Sequence, residues 1–131
     1  MNQPQRIEYI NYRVKKSDEA MEVADLLIRN KKWNAAINRL YYAAYYAVSA
    51  LLVKAKINTK THAGIKSQFF LYYVKTGKIS TDLGKVFSDL FDWRQKGDYG
   101  DFVDFTETEI ILIYEPAKLL IEKVKIEIME N

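Results

Sequence analysis

Cysteine is absent from this 131-residue chain, histidine occurs once, and there are only two prolines and five glycines. Without cysteine there is no disulfide framework, no thiolate metal cluster and no thiol nucleophile. One histidine, His62, cannot supply a histidine-based metal set by itself. Few turn-forming residues favour long helices over a strand-rich architecture. No apolar run is long enough to span a bilayer, since the longest candidate, residues 40 to 53, is short and rich in tyrosine. The opening "MNQPQRIEY" has no apolar core segment of the signal-peptide kind, so a cytoplasmic protein is expected. Neither sign of charge dominates. Twenty Lys and Arg against 17 Asp and Glu give a net charge of +3, which permits a nucleic-acid partner without arguing for one.

Hydrophobic residues, by contrast, make up 49% of the chain and charged residues 28%, enough for one well-packed domain over residues 1–131. The periodicity predicts about five helices. The first covers 5 to about 30, with Ile10, Val14, Ser17, Met21, Ala24 and Ile28 on one face, and Asn30 is expected to take a left-handed cap. The second, about 33 to 56, is apolar nearly all round and therefore central. Its Ala36, Ala43, Ala47 and Ala50 form a stripe of small residues that lets a neighbouring helix approach closely. Thr61 is placed to cap a third helix over 62–76, ended by Gly77. Thr81 or Asp82 is placed to cap a fourth, which carries Leu83, Val86, Phe87, Leu90 and Phe91. "KGDYGDF" (96–102) reads as the strongest break, with Gly97 in the left-handed position. Thr106 and Glu109 have capping-box spacing for the last helix, in which Pro116 is expected to cause a kink or a fresh start near 115.

The stretch "NRLYYAAYYAVSALL" (38–52) sets one arginine and four tyrosines in an apolar helix. Arg39 falls beside Ala36, Ala43, Tyr46 and Ala50, where a guanidinium needs partners. A buried ion pair with helix 1, or a stem lying along the core with its head in water, is the bland reading, and a site role is the sharper one. Arg94 continues the inward stripe of helix 4 to its end, within reach of Asp98 and Tyr99. Helix capping explains that placement on its own. His62 shares a face with Ile65 and Phe69, as a packing or capping histidine would. The acidic pairs Asp89/Asp92 and Glu107/Glu109 read as solvated faces. No phosphate-cradling glycine loop and no Ser-His-Asp spacing is present.

In order and spacing, "LLIRNKKWNAAINRLYYA", "NRLYYAAYYAVSALL", "THAGIKSQFFLYYVKTGKI" and "WRQKGDYGDF" resemble the HEPN domains of prokaryotes, in particular their small stand-alone members. The resemblance runs over about residues 7 to 128. It implies an up-and-down bundle of four to five helices and a homodimer. It also implies a toxin–antitoxin pairing with a minimal nucleotidyltransferase, and in active members a metal-independent endoribonuclease acting through an arginine followed four to six residues later by a histidine. Arg94 matches that arginine. Asp98 or Tyr99 stands where the histidine would, and no histidine follows Arg94.

The expectation is thus an all-α, HEPN-like homodimer that binds RNA or a nucleotide, with no cofactor and no metal. Arg94, Asp98 and Tyr99 are the candidate catalytic residues. Arg39, His62 and Arg94 are the candidate RNA- or nucleotide-binding residues, and Tyr99 is also a hydroxyl that a partner nucleotidyltransferase could modify. The alternative is a non-catalytic homodimeric interaction module that partners a nucleotidyltransferase.

Overall fold

The computed structural model describes residues 1–100 and 103–130, which form an all-α, up-and-down bundle. Its helices are α1 (Gln3–Arg29), α2 (Trp33–Lys54), α3 (His62–Phe69), α4 (Thr81–Tyr99) and α5 (Glu107–Met129). The last turn of α3 widens into a π-helical stretch, Phe70–Val74.

Helix α2 is the axis of the bundle and packs against all four others. Ile37, Leu40, Tyr41, Val48, Leu51 and Leu52 are wholly or almost wholly buried, each worth about 1.5–3 kcal/mol of transfer free energy. Its alanines do what their spacing predicts. Ala36, Ala43 and Ala47 are fully buried, and α1 presents Ala20, Ala24 and Ser17 to α2. The buried Ser17 hydroxyl donates to the Ala43 carbonyl at 2.7 Å, so the one polar group in that tight contact is satisfied.

Ends are fixed by local chemistry. The Thr61 hydroxyl accepts from Gly64 N–H, and Thr106 with Glu109 forms the expected capping box. Four expectations are corrected. Ser80, not Thr81 or Asp82, caps α4. Lys31 (φ 57°) takes the left-handed conformation, while Asn30 stays at φ −97° and its amide donates to the Leu26 carbonyl. Helix α5 runs through Pro116 as one element. The carbonyl that Pro116 cannot serve belongs to Leu112, which faces solvent at 69% exposure and can be hydrated there.

The fourth correction shapes the site. Helix α4 does not end near Arg94 but continues through Gly97 to Tyr99. Gly97 is not left-handed; a Cβ there would lie 3.1 Å from the Phe105 ring. Its glycine is a packing requirement of the segment before α5, which Asn34 holds against α2. The Asn34 amide donates to the Val103 carbonyl at 2.9 Å and accepts from Phe105 N–H at 2.8 Å.

At the opposite pole the chain ends meet the end of α2. The Arg6 guanidinium donates to the Val53 carbonyl, and the Lys54 ammonium donates to the Glu127 and Glu130 carbonyls.

Candidate functional site

Because α4 stays helical to Tyr99, Arg94 and Asp98 stand one turn apart on the same face. Arg94 Nε lies 3.0 Å from Asp98 Oδ2, with the two side chains 14% and 27% exposed. The Nε–H is not aligned for a hydrogen bond. The pair is therefore held by charge, and the directed bond of Arg94 runs from Nη2 to the Tyr42 hydroxyl at 3.0 Å. The guanidinium lies over three rings: Tyr41 at 5.6 Å, Tyr42 at 5.4 Å and Tyr99 at 5.6 Å.

Asp98 is held a second time, from α2. The Asn38 amide donates to both of its carboxylate oxygens, at 3.0 and 3.3 Å. The Asn38 carbonyl oxygen in turn accepts from Arg39 Nε and Nη2 at 3.0 and 2.8 Å. Arg39 lies over the Tyr42 ring at 4.8 Å and has no carboxylate within 4 Å among the described residues. The buried ion pair with α1 considered from the sequence is therefore not formed. Two guanidinium groups share one tyrosine ring, with a single carboxylate between them. Beside them opens a cleft of about 340 Å³ lined by Val23, Leu27, Asn34, Asn38, Arg39 and Asp98.

His62, the first residue of α3, joins from the other side. Its Nδ1 is 2.7 Å from the Tyr41 hydroxyl, and its ring stacks on Tyr45 at 4.3 Å and 11°. Burial keeps the Tyr41 phenol protonated well above its ordinary range, against the opposing charge of Arg94. Burial first and Arg94 second push His62 below its ordinary value. At neutral pH a protonated phenol therefore meets a neutral imidazole across this bond, and the tautomer of His62 sets which of the two donates.

All five residues singled out in the sequence thus lie in one connected cluster. Tyr99 is its outer edge, at 75% exposure. What sequence reading missed are Asn34 and Asn38. Their signal was available: Asn34, Asn38 and Tyr42 recur at steps of four, a polar stripe on an otherwise apolar helix.

A family model described as the HEPN domain matches residues 10–127. Among curated proteins the chain is similar to a "UPF0332 protein" of Thermotoga maritima, 38% identical over 84% of this chain and 82% of that one. It is similar to "Putative toxin MJ0605" of Methanocaldococcus jannaschii, 31% identical over 90% of this chain and 87% of the relative. "Putative toxin MJ0142" of the same organism is 25% identical over 86% of this chain and 76% of the relative.

Proposed function

The chain belongs to the HEPN domain family, and from that premise we propose that it is a toxin–antitoxin-type protein that binds RNA or a nucleotide at the Arg94–Asp98 end of α4. Two relatives carry the word toxin in their names, which supports the class. The site reading rests on one observation: Arg39 and Arg94 converge on the Tyr42 ring, at 4.8 and 5.4 Å, with only Asp98 between them. Two like charges over one ring leave a local positive excess that suits a phosphate. The adjoining cleft, apolar on the Val23 and Leu27 side and polar on the Asn38 side, suits a base or sugar.

Each residue has a part in that reading. Arg94 and Arg39 contact phosphate oxygens. His62 offers its Nε2 from the edge of the site. Asp98 holds Arg94 in place, and Tyr99 closes the outer side. Asp98 is committed to Arg94 and to Asn38 at once, which makes it a poor acceptor for a ribose hydroxyl proton. Binding is accordingly the primary reading, and metal-independent cleavage is the activity to be tested on it.

The test is incubation with total cellular RNA in the presence of a chelator, alongside electrophoretic mobility shifts and an Arg94→Ala control. RNA binding that Arg94→Ala abolishes supports the reading. Cleavage that Arg94→Ala also abolishes adds ribonuclease activity. Binding that survives in Arg94→Ala overturns the site.

A second reading, a non-catalytic homodimeric module that partners a nucleotidyltransferase, is favoured by Tyr99. Its ring is three-quarters exposed above Arg94, as a hydroxyl awaiting nucleotidylation would be. Intact-mass analysis after incubation with a minimal nucleotidyltransferase and a nucleoside triphosphate checks it. A mass increase that Tyr99→Phe removes is the supporting result.

A further inference from the structure

The tyrosine-rich edge of α2 does not stop at Tyr42. Tyr46 follows one turn later, with ring centroids 5.9 Å apart, and Tyr45 lies against both at 5.8 and 5.6 Å. All three residues are half-buried, so none is sealed in the core. Helix α1 contributes Arg13 at this point. Its guanidinium lies 5.5 Å from the Tyr46 centroid and 5.1 Å from that of Tyr9, and it donates to the Tyr9 hydroxyl through Nε at 3.1 Å and Nη2 at 2.5 Å. Arg13 on α1 resembles Arg94 on α4 in part: it sits over two tyrosine rings where Arg94 sits over three, and each bonds a phenol. No salt bridge holds it among the described residues.

We infer that Arg13, Tyr9 and Tyr46, continuous with Tyr42 and Arg94, form a second subsite that binds single-stranded RNA, with Arg13 on a backbone phosphate and the tyrosines as stacking platforms for bases. The chemistry matches what sequence-tolerant single-strand binding requires: ring faces at successive positions, with cations tracking the backbone between them. Tyr42 under Arg94 and Tyr46 under Arg13 are separated by about one turn of α2, roughly 6 Å along its axis, so the single phosphate of a mononucleotide serves one arginine at a time. One mononucleotide held at Arg94 therefore does not fill the strip, and a strand running along α2 does. The inference rests on the phosphate reading of Arg94 and extends it from a point to a track. Tyrosine and arginine are also enriched where proteins pack against one another, so a second copy of this chain is the competing occupant.

The experiment uses a fluorescein-labelled single-stranded RNA of about 10 nucleotides and a labelled adenosine monophosphate, read by anisotropy. The proteins are wild type, Arg13→Ala, Tyr46→Ala, Tyr46→Phe and Arg94→Ala, with sedimentation velocity on each. The expected result is a roughly tenfold loss of oligonucleotide affinity in Arg13→Ala and in Tyr46→Ala. Tyr46→Phe keeps its affinity, and the mononucleotide affinity of Arg13→Ala is unchanged. Oligonucleotide affinity that is untouched by Arg13→Ala but lost in Arg94→Ala overturns the second subsite and leaves the first. Loss in Arg13→Ala with none in Arg94→Ala overturns the first site and keeps this one. A fall in affinity that appears only together with a shift from dimer to monomer assigns the strip to a second copy. Absence of oligonucleotide binding by the wild type overturns both.

Discussion

At the scale of single residues, the Tyr41–His62 contact makes the sharpest claim. The imidazole is held below its ordinary value by burial and by Arg94. Under pH 6.5 the unfolded chain therefore takes up more protons than the folded one, and stability falls as pH falls. Thermal melts between about pH 7.5 and about pH 5.5 should show this fall, and His62→Gln should flatten it. Tyr41→Phe removes the phenol hydrogen-bonded to Nδ1, at a position with no solvent exposure. Urea titration should find it destabilised by about 1 kcal/mol. The asparagines behave differently, because each bridges segments far apart in sequence. Asn34→Ala leaves the Phe105 N–H and Val103 carbonyl without their partner. A loss of about 1–3 kcal/mol is expected, and faster amide exchange at Phe105 would identify its origin.

At the scale of helices, Gly84 shows how closely two elements can be brought together. A Cβ there would lie 2.9 and 3.0 Å from the two Val74 methyls and 3.3 Å from the Phe70 ring. Val74 is branched at Cβ and has little freedom to move aside. Gly84→Ala gains about 1 kcal/mol of helix propensity but overpacks this contact by about 1–3 kcal/mol. Net destabilisation is expected, with the denaturant midpoint as the check. Helix existence was legible in the sequence because the periods of three and four were strong, and so were the caps at Thr61 and Thr106. The end of α4 was not. Gly97 reads locally as a breaker, yet it is helical with the Phe105 ring packed close against it, a contact that local pattern cannot show. The fresh start expected near 115 is absent for a related reason, since the cost of Pro116 depends on where the orphaned carbonyl faces.

At the scale of the whole molecule, the helical bundle followed from composition and periodicity, and five chemically suspect residues could be named in advance. Their convergence could not, because it depends on α4 running one turn further than its glycines suggest and on Asn38 reaching across from α2. The net charge of +3 is modest, so RNA affinity on the proposed reading depends on local cations such as Arg39 and Arg94 more than on the overall charge. Affinity should then fall with salt at a log–log slope of about −0.7 for each phosphate engaged on a single strand. Arg94→Ala should make that slope shallower by about one such contact, measured by anisotropy across a potassium chloride series.

The pole where Arg6 and Lys54 tie both chain ends to the end of α2 also has a practical side. Asn38 lies 16 residues before Lys54 on that helix, or roughly 24 Å away along its axis. A dye, an affinity handle or a sensor surface attached near Gln3 or near Met129 would therefore stand clear of the Arg94 face. Anchoring at both positions at once would hold the molecule upright with that face turned outward.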